Sequence, residues 1–448
     1  MLKTILYKLQ NNSSCNSILL AVNQGFVAAY FIAVDFFYSK KLSVENFGIW
    51  KELMLVISIA IPILSFGIPE GYKYYLAKEN RPKEIFANTF VFFLTITILL
   101  IVIAVIANFS HTLGWFSIRN YYGLSLLLPF AYFTFVINKT LRYSYINEEK
   151  IPTHIKITLI GLLITSILVG VVWYNFDDFK TNYLLIGLLT YILLYANPIA
   201  FLIMKNNLVI SFKWLNKEYF IKVLKQGIPL YLATFIGVLT LNMDKIIVRS
   251  FESVEVFAVF SVGALEVPVF AMLSAAFSQN IYPKLVRHIS NGRKGEARGL
   301  WLQTTKKVSF IIYPMIFVLM FFSKNIIYFI YSAKYEDSVI LFQTYLLIGL
   351  FRNNYYGALI TASGQTKYIT LYSVMMLAFN LISSVGLYFL FGLNGIIFGT
   401  LLSTIFIQFL QLQHENLLKD YFNIFLLDKR VLTLIISVVS LYLTQYFF

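Results

Sequence analysis

A few polar side chains sit in stretches that are otherwise apolar enough to lie in hydrocarbon: Asn23, Gln24 and Asp35, then Asn138, Lys139 and Arg142, then Asp244, Lys245, Glu266 and Arg352. A charge near the centre of a bilayer costs about 2.5–3.5 kcal/mol on insertion scales, so each of these needs a partner or a hydrated cavity. Gln24 and Asp35 are three helical turns apart and share a face with Asn23 beside it, so one side of that helix is wet or paired. Asn138, Lys139 and Arg142 cluster within one turn near a cytoplasmic end, where the two long cations either line a cavity or snorkel to the interface. Asp244 and Lys245 are placed to pair and close an outer mouth, or to touch a ligand. Glu266 and Arg352 lie deeper, and two readings stay open for them. They form a buried ion pair, or Arg352 faces a cavity and draws in an anion through charge-assisted hydrogen bonds.

The elements that hold these residues follow from composition. Of 448 residues 59% are hydrophobic and 13% charged, far from the roughly 25% charged residues of soluble domains; mean hydropathy is +0.74. Apolar runs of about 18 residues or more recur, the length that crosses some 30 Å of hydrocarbon as a helix. The expected spans are 17–38, 47–77, 85–107, 121–146, 155–173 and 182–204, then 227–251, 256–285, 308–331, 339–363, 368–391 and 393–412, with a thirteenth over 431–448. The expected organisation is a cytoplasmic tail over 1–16, a six-helix bundle over 17–204, a basic connector over 205–226, a second six-helix bundle over 227–412, and a cytoplasmic segment with an extra helix over 413–448. Prolines 62, 69, 129, 198, 268, 283 and 314 interrupt several spans and permit kinks.

The net charge of +15, from 36 Lys and Arg against 21 Asp and Glu, would point to nucleic acid in a soluble protein. Here the basic residues gather in alternate loops: Lys78, Arg81 and Lys83; the connector with Lys205, Lys213, Lys217, Lys222 and Lys225; and the stretch from Lys284 to Lys307. That pattern sets orientation, with the N-terminus cytoplasmic, and implies no nucleic-acid partner. His111, His154, His288 and His414 show no ligand spacing, so no metal site is expected, and there is no GxxxxGK[ST] loop for a nucleotide. Cys15 stands alone.

The chain repeats itself. Ser43-Val44-Glu45-Asn46-Phe47 matches Ser253-Val254-Glu255-Val256-Phe257 at an offset of 210, Asp35 matches Asp244 at 209, and Asn80 and Lys83 match Asn291 and Lys294 at 211. Six spans per half leave both halves in the same orientation. The expected fold is therefore an all-α polytopic membrane protein of about 12–13 transmembrane helices, two six-helix bundles related by a pseudo-two-fold axis along the membrane normal.

Lys41-Leu42-Ser43-Val44-Glu45-Asn46-Phe47-Gly48-Ile49-Trp50 with Gly71-Tyr72-Lys73-Tyr74-Tyr75-Leu76, and in the second half Gly227-Ile228-Pro229, Asn242-Met243-Asp244-Lys245-Ile246-Ile247 and Tyr282-Pro283-Lys284-Leu285, resemble the bacterial polysaccharide flippases that carry O-antigen or capsule repeat units. These belong to the multidrug, oligosaccharidyl-lipid and polysaccharide exporter (MOP) superfamily. The resemblance implies alternating access for undecaprenyl-pyrophosphate-linked oligosaccharide in a bacterial inner membrane, without enzymatic chemistry or a bound cofactor. It implies coupling to an H+ or Na+ gradient or to the membrane potential, with membrane lipids, a polysaccharide polymerase and a chain-length regulator as partners. On that reading Arg352, Arg142 and Lys139 meet diphosphate or glycan, Asn23 and Gln24 meet sugar hydroxyls, and Asp35, Asp244, Lys245 and Glu266 serve coupling or gating. A cation-coupled multidrug exporter on the same fold is the alternative, and a membrane-embedded glycan polymerase or ligase a more distant one. The polymerase reading calls for a long external loop, and none is present.

Overall fold

A computed structural model describes residues 13–78, 82–110, 126–147, 151–175, 179–205, 215–352 and 355–447. Asn80, Arg81, Asp177, Lys213, Asn353, Asn354, most of the N-terminal tail and the side chain of Gln24 lie outside the described residues. Within them the chain is helical throughout: α1 Ser13–Lys41, α2 Val44–Leu64, α3 Ile68–Lys78, α4 Pro82–Ser110, α5 Leu128–Asn147, α6 Ile151–Asn175, α7 Phe179–Lys205, α8 Lys217–Phe251, α9 Val254–Gly263, α10 Pro268–Ser290, α11 Lys294–Phe321, α12 Ser323–Ile330, α13 Ser338–Leu346, α14 Ile348–Phe351, α15 Ala358–Ala362, α16 Thr366–His414 and α17 Lys429–Phe447. Among the described residues five helices are alone long and apolar enough to cross a membrane, and α9 with α10, bent by 46°, supplies a sixth. Ile103, Ile106, Leu163, Ile382, Phe389 and Leu390 are more than half exposed, as residues facing acyl chains must be. The protein is a multi-pass membrane protein.

Local sequence explains where helices start and stop. The repeated Ser-Val-Glu is a helix start used twice: Ser43 Oγ accepts from the Asn46 amide at 3.2 Å and Ser253 Oγ from the Val256 amide at 3.4 Å, with a glutamate in the first turn of α2 and of α9. Between α2 and α3, Pro62 ends the ladder, Ser65 Oγ donates to the Pro62 carbonyl at 2.8 Å, and Phe66 and Gly67 take φ of 49° and 68°. A Cβ on Gly67 would lie 2.3 Å from the Gly227 carbonyl, so α8 passes here with no room for a side chain. The expected spans over 368–391 and 393–412 are the two arms of α16, folded at Gly392 (φ 58°, ψ −138°). Ser384 Oγ donates to the Ile396 carbonyl and Ser383 Oγ to the Gly399 carbonyl, each at 3.1 Å, closing the hairpin.

The chain divides into two compact units, 1–34 with 49–238 and 35–48 with 239–448. These bounds differ from the six-plus-six division expected from the sequence, because they fall inside α1, α2 and α8. Lys217–Gln226, expected as connector, is the first part of α8, and its start is fixed by the Asn216 amide donating to Asn88 Oδ1 at 3.0 Å. Similarly, much of the basic stretch from Lys284 to Lys307 is helix, on the ends of α10 and α11 rather than in a loop. In unit one α5 packs against α3, α4, α6 and α7 around buried Trp50, Tyr72, Phe93 and Tyr183. In unit two α11 packs against α10, α14 and α17, and α9 against α13, around buried Phe257, Trp301, Tyr313 and Phe342. The end of α1 belongs to unit two because Lys334 Nζ donates to the carbonyls of Ser39, Lys40 and Leu42 at 3.5, 3.3 and 3.1 Å, a lysine C-cap.

Candidate substrate cavity and helix-break cluster

In unit one a cavity of about 410 Å³ opens among α1, α2, α5, α6, α7 and α8, and Asn23, Ser65, Asn138, Lys139, Arg142, His154, Thr158, Tyr195 and Thr234 supply its polar lining. It lies within the roughly 300–1,000 Å³ of ligand pockets. Lys139 and Arg142 reach it from successive turns of one face of α5, and Asn138 is fixed by donating from Nδ2 to the Tyr195 carbonyl at 3.2 Å. Aromatic rings stiffen one wall: Tyr195 stands 4.9 Å from Phe135 and 4.8 Å from Tyr191, which contacts Phe31 of α1 at 5.8 Å.

Several polar groups in this cavity are unused. Asn23 is 5% exposed with no partner for Oδ1, and Arg142 Nε is buried without a hydrogen bond. Buried polar atoms are nearly always paired, so these two stand out among the groups of the residues that line the cavity. Lys139 is engaged, its Nζ 2.8 Å from Glu70 Oε1 in the first turn of α3. Among the described residues no acid lines the cavity itself.

The structure thus brings together Asn23, Lys139 and Arg142 of the residues singled out from the sequence. His154, 4% exposed and stacked on Tyr145 at 5.6 Å, was set aside as one of four scattered histidines. Glu70 was likewise passed over, although it is the one acid beside the basic and aromatic Gly71–Leu76 stretch.

Arg352, Glu266, Asp244 and Lys245 fall in unit two and line no part of that cavity. There Arg352 Nη1 lies 3.5 Å from Glu266 Oε1, which also accepts from the Tyr345 hydroxyl at 3.4 Å. Both charged partners stand at breaks: Glu266 between α9 and α10, and Arg352 at the end of α14, so the expected continuous span over 339–363 is broken. Non-helical backbone at membrane depth is tolerated where protein or a wet cavity satisfies it. Asp244 is 2% exposed; its Oδ1 accepts from the Lys245 amide at 2.8 Å and its Oδ2 has no partner. Asp35 also belongs to unit two, within electrostatic reach of Tyr331 and Tyr335. Among the described residues no group of three or more His, Cys, Asp or Glu side chains could hold a metal ion.

Solved structures share this fold. The chain is similar to an inward-facing multidrug resistance MATE family transporter of the MOP superfamily, with a TM-score of 0.65 and 16% identity over 90% of this chain and 94% of that one. It is similar to the lipid II flippase MurJ in an inward closed conformation, with a TM-score of 0.64 and 16% identity over 95% and 97% of the two chains. A third likeness is to a MOP superfamily transporter from Pyrococcus furiosus described as having a binding pocket of reverse polarity, with a TM-score of 0.61 and 13% identity over 93% and 98%. These TM-scores show that the chain has the fold of the MOP transporters. No curated protein matches the chain in sequence. The profile of the family described as polysaccharide biosynthesis protein matches residues 40–340, and the chain belongs to that family.

Proposed function

We propose that this protein flips lipid-linked oligosaccharide repeat units, carried on undecaprenyl pyrophosphate, across the bacterial cytoplasmic membrane by alternating access, for the assembly of surface polysaccharide. The observation that carries the reading is the unit-one cavity, whose charged lining among the described residues is Lys139 and Arg142 without an acid. A glycan with a diphosphate cannot cross hydrocarbon unaided. A wet, cation-bearing site replaces water around the phosphates, while the polyprenyl tail stays in lipid. Arg142 and Lys139 hold the diphosphate through charge-assisted hydrogen bonds, Asn23 and Gln24 meet sugar hydroxyls, and the Phe135–Tyr195 wall offers flat apolar faces to the pyranose rings. The cavity takes the diphosphate and the first sugars, and the rest of the repeat unit extends beyond it.

Asp244, with an unpartnered carboxylate oxygen, and Asp35 are the residues proposed for coupling to an H+ or Na+ gradient or to the membrane potential. Glu266 with Arg352 and Lys245 are proposed as gating partners. The N-terminus lies on the cytoplasmic side, where undecaprenyl-linked units are built, and a polymerase and chain-length regulator receive them on the other side. An exporter of cationic drugs would need acids in this cavity, and its lining has none among the described residues. A leaflet assay on cells lacking the protein tests the reading: lipid-linked repeat units are expected to accumulate on the cytoplasmic side. Full translocation together with reduced dye efflux would assign the drug-exporter function instead.

A further inference from the structure

The cavity contains two cations in different states. Arg142 makes no ion pair among the described residues, whereas the Lys139 ammonium already has an anion, the Glu70 carboxylate at 2.8 Å. The side chains of Lys139 and Glu70 are 27% and 23% exposed, so the pair is half-hydrated at the cavity edge rather than sealed in a core. Glu70 stands just beyond the break at Ser65–Gly67, where Phe66 and Gly67 are left-handed. Its helix α3 also places the Tyr72 hydroxyl 2.6 Å from Ser144 Oγ and the Lys73 ammonium 5.5 Å from the Tyr143 ring, both on α5. Glu70 can therefore leave Lys139 without dismantling a core, and in the first turn of α3 the helix dipole stabilises the freed carboxylate.

We infer that Glu70 is a built-in counter-anion, which holds Lys139 while the cavity is empty of substrate and yields it to the phosphate-bearing headgroup on loading. This rests on the assignment of the cavity to a diphosphate. Loading is an exchange of carboxylate for phosphate at one ammonium, with Arg142 as the fixed anchor. Small carboxylate anions are then poor ligands, because they gain no more at Lys139 than Glu70 already provides. A diphosphate spans Arg142 and Lys139 together and outcompetes it. Loading removes the Lys139–Glu70 tie between α3 and α5 and leaves the Tyr72–Ser144 and Lys73–Tyr143 contacts in place.

The test is binding of inorganic pyrophosphate and of geranyl pyrophosphate to the purified full-length protein in nanodiscs, by calorimetry, for wild type and for the Glu70→Gln, Glu70→Asp and Arg142→Ala variants. Glu70→Gln is expected to bind both probes roughly fivefold more tightly, since a partly hydrated ion pair no longer has to be broken, and acetate is expected to gain measurable affinity only in this variant. Glu70→Asp, which keeps the charge on a shorter stem, is expected to fall between the two, and it serves if the Gln variant does not fold. If both folded Glu70 variants bind no more tightly than wild type while Arg142→Ala still loses binding, the counter-anion role is overturned and the anion site stands. If wild type binds neither probe better than Arg142→Ala does, the diphosphate reading itself fails.

Discussion

Replacing Arg142 by methionine separates a cation kept for substrate from one kept for architecture. Its Nε is buried with no hydrogen-bond partner, and it makes no ion pair among the described residues. A buried donor left unpaired costs about 1–3 kcal/mol. Methionine fills similar length with no polar atom to desolvate, so the variant is expected to be as stable as wild type or about 1 kcal/mol more stable, a melting rise of roughly 1–3 °C. The functional effect has the opposite sign. A phosphate about 4 Å from a guanidinium gains about 4 kcal/mol at an effective dielectric near 20, and charged hydrogen bonds retain a net 1.5–3 kcal/mol or so after desolvation. That is roughly a ten- to hundredfold loss of pyrophosphate affinity in Arg142→Met. Arg142→Lys, which keeps the charge but not the planar fork, is expected to lie between. The paired assays are thermal melting and pyrophosphate binding on the same preparation, with translocation of lipid-linked repeat units in cells. A variant that melts several degrees lower yet binds and transports normally would refute the argument and make Arg142 a packing residue.

Arg352→Ala is expected to abolish translocation while membrane insertion persists, because it leaves Glu266 unpaired at a helix break; normal surface glycan in that variant would count against the gating role. Gly392→Ala places a side chain at φ 58°, ψ −138°, a conformation close to glycine-only, and is expected to cost about 2 kcal/mol or more, read as a lower melting temperature or loss of expression. Lys306 beside Asp428 holds its carboxyl below the usual carboxylate range. A depressed pKa means the tie is complete at neutral pH and lost only in acid, below the usual carboxylate range. Hydrogen exchange at the start of α17 is therefore expected to be faster in Asp428→Asn than in wild type at pH 7, and the two are expected to converge only once acid protonates Asp428.

What the sequence revealed depended on whether the partners share one helix. Asn138, Lys139 and Arg142 stood out because turn spacing alone puts them together, and Asp35 and Asp244 because an acid in an apolar run is costly wherever it lies. Glu70, His154, Thr158 and Thr234 come from other helices, and nothing local distinguishes them from capping or packing residues. The choice between a cavity and a snorkelling role for Arg142 could not be made from one helix either, since both put the cation near an end. The broken span at Arg352 was hidden by hydropathy, which averages over the Arg352-Asn353-Asn354 run; those three polar residues followed by Gly357 were the available sign of a break. The start of α8 was missed for a related reason. An amphipathic basic stretch reads equally as linker or as helix until Asn88, far away in sequence, is known to hold its first turn.

The internal repeat reaches further than the motif that revealed it. Arg142 and Arg352 are 210 positions apart, the offset of the Ser-Val-Glu pair, and each lies in the fourth span of its half. In each unit an acid at or just after the break in the second span pairs with a base in the fourth: Glu70 with Lys139, and Glu266 with Arg352. The difference lies in the count of cations. Unit two places one arginine opposite its acid and leaves nothing over, whereas unit one adds Lys139 three residues before the repeated arginine, so the lysine takes the acid and the arginine is released. In unit one the additional lysine leaves an arginine on the cavity lining without an ion pair among the described residues. That asymmetry is why the substrate anion is assigned to unit one rather than to its counterpart. It also says what would reverse the assignment: in Glu266→Gln, Arg352 gains the freedom Arg142 already has, and a second pyrophosphate-binding event should appear.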